Sequence, residues 1–138
     1  MRKSITQKDE MGCGVACLAF NLNCSYNKAL QLLKGDRKKA KNYGFFCKDI
    51  VAGLHRSGEN YQFKYIKTKI RNQIYQNQTI VFIKRSKKYP VGHYLCRYEN
   101  LWMDPWINLP KDKNIKNAKS GFRKRLPGHP IYMIQFIP

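Results

Sequence analysis

The period of the apolar residues changes once along the chain, near residue 60, and that change constrains the fold more than any other feature of the sequence. On its N-terminal side, Val15, Ala16, Cys17, Ala19, Phe20 and Leu22 recur at helical rather than alternating spacing, with Gly12 and Gly14 at the mouth of the run. A helix is therefore predicted to begin near Cys13. Ser25 is a good N-cap for a second helix over YNKALQLLK, which Gly35 closes, and KDIVAGLHRSG reads as a third that ends at Gly58. On the C-terminal side YQFKYIK alternates and IRNQIYQ is a short amphipathic stretch, while TIVFIK, HYLCRY, LWMD and IYMIQFI are β-branched and aromatic runs. Helices first and strands afterwards, without repeated βα alternation, predict an α+β fold in which N-terminal helices pack on a mainly antiparallel sheet formed by the C-terminal half.

A chain of 138 residues suits one domain, 1–138, able to bury roughly two thirds of the surface its unfolded form exposes. With 43% hydrophobic and 13% aromatic residues it is too apolar to stay disordered, despite its charge. No apolar run approaches the roughly 18 residues of a membrane span, and VACLAF and TIVFI belong in a core. MRKSITQKDE at the N-terminus is charged almost throughout and precedes only a short apolar stretch, so no secretory signal is expected and the cytoplasm is the expected compartment. Lys and Arg outnumber Asp and Glu by 27 to 8, a formal charge of +19, which suits acidic partners such as nucleic acid, anionic lipid or an acidic peptide. The clusters GDRKKAK, KRSKK and KSGFRKR adjoin Gly, Pro or Asn and read as loops.

Five cysteines, at 13, 17, 24, 47 and 96, are an odd number, so at least one thiol is free. Cys13, Cys17 and Cys24 have three and six residues between them, without the close CxxC knuckle of structural zinc, and the HxxC of His93 and Cys96 has no matching second pair. Neither a metal nor a cofactor is expected. A thiol attacks only as thiolate, and with a reference pKa of about 8.5 it needs help at neutral pH. A helix N-terminus gives that help, and Cys13 sits at a predicted one between two glycines that allow close substrate approach. The other four lack that setting and read as buried structural thiols.

The base must be a histidine, of which there are three. His55 lies near a predicted helix end and His129 in the turn PGHP, whereas His93 opens the strand HYLCRY, which turns through Glu99 and Asn100 into LWMDP. With a two- or four-residue turn there, Asp104 pairs with Leu95 and becomes the diagonal neighbour of His93 on one face, with Cβ atoms roughly 7–8 Å apart or less. Asp104 can then orient the imidazole. An odd turn would put the two on opposite faces. Gln7 carries a side-chain amide that can donate, beside the Cys13 backbone N–H, to an oxyanion.

These residues resemble a known family, the bacteriocin-processing, double-glycine-leader peptidases of the papain-like clan. QKDEMGCGVACLAF is similar to that family's Gln, five residues, catalytic Cys, Gly and then a small and apolar helix. GHYLCRYENLWMDPW is similar to its Gly-His strand and the following strand ending in Asp-Pro, YGFFCKDIVAGLHRSG to its middle helix, and SGFRKR to the approach to its last strand. The resemblance implies Cys13 as nucleophile, His93 as base and later acid, Asp104 as orienter and Gln7 in the oxyanion hole. It departs from the family at Gly12, where many members carry an acidic residue, and from its best known members in lacking ABC transporter parts.

The function expected from both readings is cleavage of a peptide bond, for example in a leader peptide, through an acyl-enzyme on Cys13 with His93 as general base. The substrate is then a peptide or protein, with an acidic one favoured by the charge. Two alternatives use the same residues differently. The dyad can deamidate Gln or transfer an acyl group to an amine, and a non-catalytic module can present its Lys and Arg loops to nucleic acid or an acidic peptide.

Overall fold

In the computed structural model, which describes residues 2–138, four helices precede a six-stranded sheet. The helices are α1 (Cys13–Leu22), α2 (Tyr26–Leu32), α3 (Arg37–Asn42) and α4 (Cys47–Arg56). The strands are β1 (Tyr61–Tyr65), β2 (Ile80–Ile83), β3 (His93–Tyr98), β4 (Leu101–Asp104), β5 (Gly121–Arg123) and β6 (Pro130–Phe136), ordered β1-β6-β2-β3-β4-β5. Every pairing is antiparallel. The expected α+β arrangement is therefore observed. Among the described residues no helix is long and apolar enough to cross a membrane.

Eight of the ten residues of α1 are buried, because the helix packs against β3 on one side and α2 and α4 on the others. A helix apolar nearly all round has no solvent face to offer and belongs inside. It stops at Asn23, in the left-handed region at φ 53°, whose N–H reaches the carbonyls of Ala19 and Phe20. Ser25 caps α2 by accepting the Lys28 N–H at 3.0 Å, and the Gly35 N–H closes the turn on the Leu30 carbonyl at 2.7 Å. One expectation fails here: GDRKKAK is not a loop. Asp36 accepts the Lys39 N–H at 2.9 Å and so starts the short helix α3, which the buried Ala40 fastens to the core.

Both faces of the sheet are covered, which is why β3 is buried at five consecutive positions instead of alternating. Ile80, Tyr94, Cys96, Met103 and Ile134 meet the helices. Val81, Leu95, Trp102 and Met133 meet Ile74 of a 3₁₀ turn (Thr68–Tyr75), the Tyr89 ring and Leu126. The N-terminus of α1 and the first residue of β3 come together at one end of this sandwich.

Candidate active site

The β3–β4 hairpin pairs Cys96 with Met103, Arg97 with Trp102 and Tyr98 with Leu101, leaving Glu99 and Asn100 as a two-residue turn. Continued outward, that register sets Asp104 opposite Leu95 and diagonal to His93, as an even turn requires. Nε2 of His93 lies 2.7 Å from Oδ1 of Asp104, so Nε2 donates and Nδ1 is the ring nitrogen left for another partner. Cys13, the first residue of α1, brings its thiol close enough to the ring to bear on its charge. Tyr89 stacks on the imidazole with centroids 5.0 Å apart and planes 15° apart, and His93 is left 3% exposed.

Burial alone would discharge such a histidine. The hydrogen bond to Asp104 and the nearby Cys13 thiol, with the negative charge each can carry, outweigh it and raise the His93 pKa from 6.5 to about 9. Asp104 is fully buried, which would raise its pKa, yet the hydrogen bond and charge of His93, then the Arg123 guanidinium and the Trp106 N–H, hold it below its ordinary value. Its Oδ1 accepts from His93 and from Trp106 N–H at 2.9 Å, and its Oδ2 accepts from Arg123 Nε at 2.7 Å.

Cys13 and His93 open into a cavity of about 750 Å³. Its walls are aromatic, including Tyr43, Phe46, Phe63, Phe82, Tyr94 and Trp106, and Lys48, Lys84 and Arg85 border it. Gln7 lines the same cavity, 2% exposed. Its Nε2 donates to the carbonyls of Asp9 at 3.0 Å and Glu10 at 3.2 Å, and its buried Oε1 has no protein partner.

The Peptidase C39 family model matches residues 1–134. The chain belongs to that family. As a C39 peptidase it is a cysteine peptidase acting on peptide bonds. Its papain-like fold is that of the peptidase domain of Streptococcus ComA, described as a bi-functional ABC transporter involved in a quorum sensing pathway. The two superpose with a TM-score of 0.64 at 19% identity, covering 100% of this chain and 99% of that one. No curated protein sequence matches it.

Two expectations about the glycines and cysteines of this C39 peptidase change. Gly14 does not make room for substrate: a Cβ there would meet Ile50 Cδ1 at 2.9 Å and Tyr94 Cδ2 at 3.3 Å, so the residue sets how closely α1 lies on β3. Gly12 makes room for the Tyr26 hydroxyl, with which any Cβ would collide. That hydroxyl donates to Asp9 Oδ2 at 2.8 Å, so the acidic group of this region is the buried Asp9 and not the residue before Cys13. Gly12→Ala is expected to cost about 1–3 kcal/mol in thermal or urea unfolding, the range for overpacking a filled site. Adding Tyr26→Phe should make the double variant more stable than Gly12→Ala alone; a double variant that is less stable refutes the steric account.

Cys47 also opens a helix and lines the cavity, beside the Tyr94 hydroxyl at 3.6 Å, so Cys13 is not unique in that respect. Burial separates the two, pushing the Cys47 thiol up despite the Tyr94 hydrogen bond. Cys17 and Cys96 are fully buried, with pKa values raised by burial, and only Cys24 departs from the expected interior position by being half-exposed. His55 bonds the Tyr61 carbonyl at 3.0 Å from the end of α4 and His129 sits exposed in its turn, both away from Cys13. Arg123 and Tyr89 were not anticipated at the site. Arg123 was visible only as part of a basic cluster, and Tyr89 had no local signal at all.

Proposed function

We propose that this peptidase works through an acyl-enzyme on Cys13. The observation that carries the reading is the meeting of the Cys13 thiol with the His93 ring, itself hydrogen-bonded to Asp104 at 2.7 Å, at the mouth of an apolar cavity. α1 has no side-chain cap, so the N–H groups of its first turn keep their partial positive charge at the end where Cys13 sits and favour negative charge there. The thiolate attacks the substrate carbonyl, His93 protonates the leaving amine, and His93 then takes a proton from the water that releases the acid. Gln7 stabilises the oxyanion by turning one N–H from the Glu10 carbonyl, the longer of its two bonds at 3.2 Å, toward the new charge.

The substrate is a peptide with apolar side chains and acidic residues, such as a leader segment. Aromatic walls suit the first and Lys48, Lys84 and Arg85 the second. Residues 1–138 serve as one catalytic domain.

Alkylation by iodoacetamide tests the nucleophile without knowledge of the substrate. Cys24 provides the control, being the other half-exposed thiol, raised in pKa by burial and only partly relieved by Lys28. Near pH 6, peptide mass mapping should find Cys13 modified at least about tenfold faster than Cys24, and His93→Ala should remove the difference. Equal rates at the two thiols in the parent protein would rule out Cys13 as the activated nucleophile.

A further inference from the structure

Three side chains adjoin the imidazole of His93, and a fourth backs them. Cys13 comes from α1, Asp104 from β4 and Tyr89 from the loop before β3, while Arg123 of β5 stands one step further out. The first two are accounted for by the reading above. Arg123 is not, and it reaches Asp104 from behind. Its Nε donates to Asp104 Oδ2 at 2.7 Å, and its charge lies close enough to bear on the hydroxyl of Tyr89, whose ring stacks on His93. A second arm of the guanidinium donates to the Ile107 carbonyl at 3.1 Å, which fixes the plane of the fork.

The division of labour at Asp104 makes this contact consequential. Both of its inner donors, His93 and the Trp106 N–H, converge on Oδ1, and Arg123 serves Oδ2. Take the guanidinium away and a fully buried carboxylate keeps one oxygen without a donor. Such a group either turns to find one or binds a proton. In either case His93 loses the anion that keeps it charged beside Cys13. Arg123 itself does not line the cavity.

We propose that Arg123 is a positioning residue of this peptidase, holding Asp104 ionised and turned toward His93. The inference rests on Cys13 being the nucleophile activated by His93. β5 has three residues and pairs only with β4, with Arg123 opposite Trp102 and Gly121 opposite Asp104. Delivering this one side chain to the carboxylate is the service that so short an edge strand performs for the site.

The test is the pH dependence of iodoacetamide alkylation at Cys13, followed by mass mapping from pH 4 to 9 on the full chain, with circular dichroism to verify folding. In Arg123→Gln the acid limb should move up by roughly one pH unit, the lower end of what an opposite charge at contact distance contributes, so that the rate near pH 5 falls about tenfold. Arg123→Lys keeps the cation but not the fork, and its limb should lie between the two. Because Arg123 acts through Asp104, adding Arg123→Gln to Asp104→Asn should change the rate less than twofold further. A profile for Arg123→Gln that superposes on the parent, or fully additive losses in the double variant, overturns the proposal. Should Arg123→Gln not fold, the Lys variant decides by itself: a limb unchanged from the parent is the refuting result. If Cys13 of the parent reacts no faster than Cys24, the reading of the site has failed; if it does and the Arg123 variants are unaltered, only this inference has.

Discussion

Cys13→Ala should lower peptide hydrolysis by about 10⁶-fold, the loss seen when the nucleophile of a catalytic triad is removed, while leaving the fold intact. Alanine at the first position of α1 keeps the helix, and the half-exposed Cys13 is not among the fully buried residues that hold the core together. Two further readouts separate a catalytic loss from a structural one. His93→Ala added to Cys13→Ala should cost nothing more, because the pair acts as a unit. The imidazole of His93 should titrate lower than about 9, since the burial that opposes its charge remains and one of the groups that raise it is gone. NMR of the ring reports this directly. Hydrolysis that survives the substitution, or a His93 titration that does not move, would remove Cys13 from the mechanism.

Asp104→Asn carries the next largest effect, a fall of roughly 10²–10⁴-fold in kcat/KM, because an amide neither fixes the tautomer of His93 nor balances its charge. The alkaline limb should drop below about 9 for the same reason. Stability should change with pH in a way that identifies the charges. His93 is raised in the folded state, so what its charged form contributes is complete below pH 6.5 and fades as pH rises through about 9. Asp104 is depressed, so its contribution is present above its ordinary 3.8 and lost on acidification. The difference between parent and Asn variant in urea unfolding should therefore be greatest between those two values, about 3–5 kcal/mol as for breaking a buried pair, and narrow above pH 9. A difference that is flat from pH 5 to 10 would mean that the His93 charge is not what Asp104 holds.

How much of this could be read from the chain depends on the distance over which each feature is decided. The start of α1 at Cys13 and the hairpin that aligns His93 with Asp104 are local: a helical period, and an even turn acting through the two-residue repeat of a strand. The cap at Ser25 is local too. α3 carried a legible signal in Asp36, but a run as charged as RKKAKN hides the one residue, Ala40, that anchors it. Arg123 was out of reach because its role exists only after β5 returns along the far side of the 105–120 segment to pair with β4, and three residues are too few to show a strand period. The same is true of the two glycines beside Cys13. Tyr26, Ile50 and Tyr94, which dictate their size, come from three other elements.

The contact of Gly14 with Tyr94 has a meaning for the living cell beyond packing. In the proposed mechanism the sulfur belongs to the helical layer and the imidazole to the sheet, so neither layer would hold a working site by itself, however well formed its secondary structure. A chain still leaving the ribosome, or one that keeps its helices and strands but has lost close packing, brings no thiolate to an imidazolium. Proteolytic power then requires α1 to be seated on β3, which spares the cell a half-folded protease.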